Sequence, residues 1–162
     1  MRRTSFADMN CSIAQTLEVI GDWWTPLVLR DALMGVRRFE QFQGRLGIAR
    51  NVLAQRLETL VEHGLMEQVP YQNRPLRHEY VLTDKGRDLW PALQMLRQWG
   101  DRWAAPNGAP VEAVHESCGH VLDAHLACGA CGERVYGRDL TLRHGPGWSE
   151  GDAVIVPAAQ GA

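Results

Sequence analysis

Two short stretches of the chain carry side chains able to do chemistry at close spacing. They are His115-x-x-Cys118-Gly119 and Cys128-x-x-Cys131-Gly132, and they repeat one plan. Thiolate and imidazole are the donors that a tetrahedral zinc ion takes, and closed sites of three cysteines and one histidine are structural rather than catalytic. A glycine after the second ligand lets the chain turn tightly, so that backbone amides face the sulfur. The spacing predicts one structural Zn2+ per chain at His115, Cys118, Cys128 and Cys131, with His120 or His125 as alternatives to His115, and no organic cofactor. Plain reduced thiols are the simpler alternative. No βαβ context supports a thioredoxin-like pair. No H-x-E precedes the cysteines, which excludes the zinc deaminase pattern. Cys11 stands apart, at a predicted helix start where a thiol gains thiolate character.

The elements that position these groups follow from composition and periodicity. With 162 residues and 45% hydrophobic content, the chain has material for one good core and a small appendage. No apolar run approaches the roughly 18 to 20 residues of a membrane span. The start, "MRRTSFADMNCS", lacks the apolar stretch of a secretory signal. A cytoplasmic protein is expected, with no membrane contact, and its cysteines are expected to be thiols or metal ligands. The net charge of −2 favours no partner class, so charge distribution matters more. Lys85 is the single lysine among 17 basic residues, so any phosphate contacts would be made by arginine.

"NCSIAQTLEVIGDWWTPLVLRDALMG" predicts two helices. Asn10 is positioned to cap the first, with Ile13, Leu17 and Ile20 as its stripe. Thr25 before Pro26 reads as cap and first turn of the second, with Leu29, Ala32 and Leu33 facing inward. "RRFEQFQGRLG" adds a short helix with Phe39, Phe42 and Leu46 on one side, closed by Gly47. A further helix, "GIARNVLAQRLETLVEH", places Leu53, Leu57, Leu60 and Val61 on one face and ends at Gly64. Strand-like "LMEQVPY" and "RHEYVLT" follow, joined by turn signals in "QNRPL". Helix, turn, helix and hairpin is the order of a winged helix-turn-helix. "TDKGRDLWPALQMLRQWGDRWA" then returns to helix with Leu89, Leu93, Leu96, Trp99 and Trp103 on one side, and Pro91 should kink it or delay its regular start.

The pieces "NCSIAQTLEVIGDWW", "RRFEQF", "GIARNVLAQRLETL", "HGLMEQV" and "EYVLTDKGRDLWP" stand in the order and spacing of one family. Over about residues 10 to 104 the chain resembles the HxlR family of winged helix-turn-helix transcriptional regulators. The resemblance implies a dimer that binds operator DNA near promoters. Cys11 matches in position the cysteine that some members use to sense oxidants or electrophiles.

In such a fold one helix enters the major groove, where base pairs are distinguishable by their donors and acceptors. With Leu53 taken as the buried direction, steps of about 100° per residue put Asn51 and Gln55 nearly opposite, and Arg50 on the flank. Amides can donate to and accept from adenine, and arginine suits guanine or a phosphate. Arg37 and Arg38 begin the preceding helix, and Arg74 and Arg77 flank the hairpin tip; these four are the expected phosphate contacts. An ordinary solvated polar face would also look like this.

The expected fold class is α+β, mainly α: a winged helix-turn-helix with an additional N-terminal helix and a long dimerisation helix, plus a small C-terminal β unit. The expected boundaries are 1–104 for the DNA-binding and dimerisation domain, 105–113 for a linker, and 114–162 for a β-rich extension resembling a zinc ribbon. Val154 to Val156 could add an edge strand. The expected function is a homodimeric regulator of double-stranded operator DNA, a repressor, responsive to a redox, electrophile or small-molecule signal. No nucleophile, base and orienting acid are grouped, and no phosphate loop appears, so an enzyme is not expected. The rival reading is a zinc-stabilised protein-interaction module without specific DNA binding.

Overall fold

The computed structural model describes residues 5–150 and 152. The expected strand at Val154 to Val156 lies outside them. Helix α1 spans Ser12–Ile20, with Cys11 in extended backbone before it and the Cys11 carbonyl accepting from Gln15 N–H at 2.9 Å. Asn10 is not the cap: it lies one residue too early, and its side-chain amide donates to Asp152.

Helix α2 spans Thr25–Leu33. Its first turn is held by Asp22 rather than Thr25. One Asp22 oxygen accepts from the Trp24 and Thr25 amides at 2.8 and 3.1 Å, and the Thr25 hydroxyl donates to the other. A carboxylate competes better than a hydroxyl for the positive end of a helix, which is why Thr25 becomes the first helical residue instead.

Helices α3 (Phe39–Leu46) and α4 (Arg50–Glu62) are joined by a turn in which Gly47 adopts φ +62°, a left-handed conformation that a side chain disfavours. Ile48 in that turn is only 3% exposed and anchors it to the core. Strands β1 (Met66–Asn73) and β2 (Leu76–Leu82) pair antiparallel from Met66 opposite Leu82 to Asn73 opposite Leu76. The register shifts between Pro70 and Gln72, where proline has no N–H to give the ladder. A third piece joins this wing: Arg38 bridges Glu79, and Tyr80 N–H donates to the Arg37 carbonyl at 2.7 Å. The fold is therefore a mainly α winged helix-turn-helix with a small β wing.

Val28, Leu29, Phe42, Leu53, Leu57 and Leu60 have no exposed surface, and Met66 and Leu82 close the core from the wing. Ala32 and Leu33 are only half-buried, so Val28 shares with Leu29 the inner role expected of them. Asp31 is fully buried as well, lying 2.8 Å from Arg30 and 3.2 Å from Arg45, which ties α2 to the end of α3.

The expected last helix is two. Short α5 (Asp84–Arg87) is capped by Thr83, and α6 (Trp90–Trp103) begins with Pro91 in its first turn, where the missing N–H costs nothing. The described residues form two compact units, one up to Trp90 that also takes in Ser149, Glu150 and Asp152, and one from Pro91 to Trp148. The expected boundary at 104 thus differs from the grouping of contacts, in which α6 goes with the segment after it. Gln98 gives the reason: its amide donates to the Ala124 carbonyl at 3.0 Å and accepts from Ala124 N–H at 2.8 Å. The second unit also holds β3 (Val114–His115) paired with β4 (His120–Val121), an Ala127–Arg134 bridge and a 3-10 turn at Gly137–Asp139. No described residue from 95 to 150 is buried.

Gly86 shows how closely the first unit is packed. A Cβ there would lie 2.1 Å from the Leu65 carbonyl oxygen, whereas one at Gly44 in α3 would meet nothing within 4 Å. Gly86→Ala should lower stability to urea by about 1–3 kcal/mol, while Gly44→Ala should be neutral or stabilising by up to about 1 kcal/mol; equilibrium denaturation of the two variants checks the contrast.

Candidate nucleic-acid interface

Helix α4 turns its amide-bearing side outward. Leu53, Leu57 and Leu60 bury its back completely against α2, α3 and β1. Arg50, Asn51 and Gln55 are exposed, as the periodicity predicts, and Glu58 follows them further along. The residue at each exposed position is free to change without disturbing the core, which is what a reading face requires. Thr59 sits behind this row with its hydroxyl donating to the Gln55 carbonyl at 3.0 Å.

The arginines divide into two groups. Arg37, Arg74 and Arg77 are exposed, with Arg74 at the hairpin tip, where its carbonyl accepts from the Gln72 amide at 3.0 Å. Arg38 is engaged: its Nε lies 2.9 Å from Glu79 Oε1, and its guanidinium lies 4.3 Å from the centroid of the Tyr71 ring. Arg50 rests its guanidinium 4.8 Å from the Phe39 ring centroid, so the start of α4 sets a cation on the first residue of α3. Tyr71 and Glu79 were missed at the sequence level, because their partner lies more than thirty residues away in the chain. Asp22 was missed too; besides holding α2 it lies 3.1 Å from Arg56, which fixes that arginine to the fold. An aspartate three residues before Thr25-Pro26 was the signal available. Burial raises the Tyr80 hydroxyl above its ordinary pKa, and the charges of Glu40 and Glu58 add to the effect, so Tyr80 stays neutral behind the wing.

In the second unit each expected metal half-motif is assembled locally. His115 Nδ1 lies 3.3 Å from Cys118 Sγ. The Cys128 thiol is lowered from its ordinary pKa, first by the Cys131 backbone N–H, then by the Ala130 N–H and the Cys131 side chain. Among the described residues no group of three or more His, Cys, Asp or Glu side chains is placed to hold a metal ion. Cys11 is half-buried and, like the other three cysteines, a free thiol. No helix among the described residues is long and apolar enough to cross a membrane.

A helix-turn-helix whose second helix turns a polar face outward, followed by an arginine-tipped wing, defines a DNA-binding transcriptional regulator. Residues 19–108 match the model of the HxlR-like helix-turn-helix family, and the chain belongs to that family. An HTH-type transcriptional regulator of Mycobacterium tuberculosis is 47% identical over 138 residues, 85% of this chain and 87% of its own length. The solved structure of PA1607, a proposed transcription factor, is 40% identical and covers 88% of this chain and all of its own at a TM-score of 0.78. The redox regulator HypR in its reduced form is 28% identical, covering 59% of this chain and 95% of its own at a TM-score of 0.55. The first two matches run past residue 108, beyond the family region, into the C-terminal extension.

Proposed function

We propose that the chain is a cytoplasmic, homodimeric repressor that binds double-stranded operator DNA, with α4 in the major groove of each half-site. The observation that carries this is the exposed row Arg50, Asn51, Gln55 set over a completely buried leucine face. Asn51 and Gln55 read bases, and Arg37, Arg50, Arg74 and Arg77 hold phosphates. Arg38, held by Glu79 and Tyr71, takes a smaller share of the phosphate contact than Arg37 and mainly sets the wing. One recognition helix covers only a few base pairs, so a two-fold pair reading two half-sites suits the architecture.

Apolar side chains supply the surface for that pair. Ile13 is 72% exposed on α1, and Trp99 and Trp103 are 62% and 68% exposed on α6. Large apolar residues exposed four apart on one helix, as Trp99 and Trp103 are on α6, mark an association surface; Ile13 is a separate candidate on the first unit. The regulating signal is an oxidant or electrophile acting at Cys11, which is partly accessible at the start of α1. The redox regulator HypR among the structural neighbours supports this reading.

Three measurements test these statements. In fluorescence anisotropy with the cognate operator at several salt concentrations, Arg74→Ala should weaken binding to all sequences and reduce the salt slope by about one. Gln55→Ala should instead relax the preference at one base pair, by about 1–3 kcal/mol. If both variants match the parent, α4 and the wing do not read DNA, and a protein-interaction module takes the place of the regulator. Trp99→Ala with Trp103→Ala should shift sedimentation toward the monomer and weaken operator binding together. Mild peroxide or aldehyde should release the parent from operator and leave Cys11→Ser bound; an equal response of both removes Cys11 from the signal path.

A further inference from the structure

The two half-motifs of the second unit fold into the same knuckle. In the first, Gly119 N–H donates to the His115 carbonyl at 2.8 Å, and Gly119 takes φ +69°. In the second, Gly132 N–H donates to the Cys128 carbonyl, also at 2.8 Å, and Gly132 takes φ +76°. Two segments of unlike sequence thus close by the same bond, each with a left-handed glycine directly after its second donor. Each knuckle is backed by antiparallel pairing: β3 with β4 behind the first, and the Ala127–Arg134 bridge behind the second. This is the backbone form in which a short chain presents two donors to one tetrahedral ion.

The rest of the unit supplies the need for such an ion. Its strands are two residues long, and its large apolar side chains, among them Val114, Val121, Leu126 and Leu142, are more than half exposed. Chains that cannot bury a core are held by metals or disulfides, and all four cysteines here are free thiols.

We propose that His115, Cys118, Cys128 and Cys131 together hold one structural Zn2+; no three of these donors lie together among the described residues without it, so binding draws the two knuckles onto a single ion. The donor set of three sulfurs and one nitrogen is one that zinc takes in closed sites, and it leaves no position for a substrate. His115 is assigned as the nitrogen ligand because its ring lies in the knuckle itself, with Nδ1 3.3 Å from Cys118 Sγ and the Ser117 hydroxyl at 3.3 Å, whereas His125 Nδ1 faces the Asp123 carbonyl at 3.2 Å. On binding, the three thiols release their protons to the medium and coordinate as thiolates, so zinc affinity rises with pH. Cys11 takes no part.

Elemental analysis of the full-length protein, purified without chelator, should find about one zinc per chain. Cys118→Ser and Cys131→Ser take one ligand from each knuckle, and each should lower zinc content at least tenfold, while Cys11→Ser keeps it. Protein without zinc and with four freely titrating thiols would overturn the site, as would full zinc in either knuckle variant or in His115→Ala. Cobalt substitution of the parent covers the case in which the variants do not fold. Intense visible bands of tetrahedral cobalt thiolate support the assignment, and the weak spectrum of six-coordinate cobalt refutes it. None of these readouts involves DNA, so their outcome is independent of the operator experiments.

Discussion

The complete burial of Leu53, Leu57 and Leu60 decides what α4 can do. Each fully buried leucine contributes about 1.5–3 kcal/mol, so three of them fix the rotation of the helix by several kcal/mol. Turning α4 by one residue, about 100°, would bring these leucines toward solvent and swing Asn51 and Gln55 from the outer face onto the flanks. A good contact between an amide and a base discriminates by only about 1–3 kcal/mol. The core term is the larger, so the outward face is presented by packing, and its residues can vary without endangering the fold. Substitutions on such a face usually change stability by less than about 0.5 kcal/mol. A regulator family needs that separation if one scaffold is to serve many operators.

Orientation of the wing rests on a second, weaker set of contacts. Arg38 reaches Glu79 and Tyr71, while the Arg37 carbonyl takes the Tyr80 N–H. An exposed ion pair contributes at most about 1 kcal/mol. Here it is added to a backbone hydrogen bond and a cation–π contact on the same two residues. Together they hold the start of α3 to the middle of β2. Arginines 37 and 38, adjacent in sequence, therefore differ in role: the backbone of one and the side chain of the other fasten the wing, which leaves the Arg37 side chain to the solvent.

Local patterns made most of the fold legible in the sequence. Leucine spacing gave α4 its direction, Gly47 marked the end of α3 and Gly64 the end of α4, and Pro91 marked the delayed start of α6. Two readings failed where several polar residues competed for one helix end: Asn10 and Thr25 were plausible caps, yet Cys11 precedes α1 and Asp22 holds α2. Pairings distant in sequence left no periodic trace. Neither the Arg38–Glu79 bridge nor the burial of Asp31 between Arg30 and Arg45 could be read from spacing. The candidate reading residues Asn51 and Gln55 emerged because a helix converts spacing into direction. For the cysteine knuckles, spacing fixed each local turn but carried no information on the distance between them.

Net charge also says little until it is resolved by position. The chain carries −2 overall, a value unlike the strongly basic surfaces that bind DNA without selectivity. Arg50 lies at the start of α4 against Phe39, while Glu58 and Glu62 come further along the same helix. A helix charged in this direction does not exploit its own dipole, which favours acids at the amino end. The arrangement is thus not one that helix stability alone would select. Positive charge at the amino end and negative charge at the carboxyl end oppose the dipole but suit an approach in which only the first turns meet phosphate. The small stability cost, about 0.3–1 kcal/mol for each misplaced charge, is readily carried by the buried leucine face.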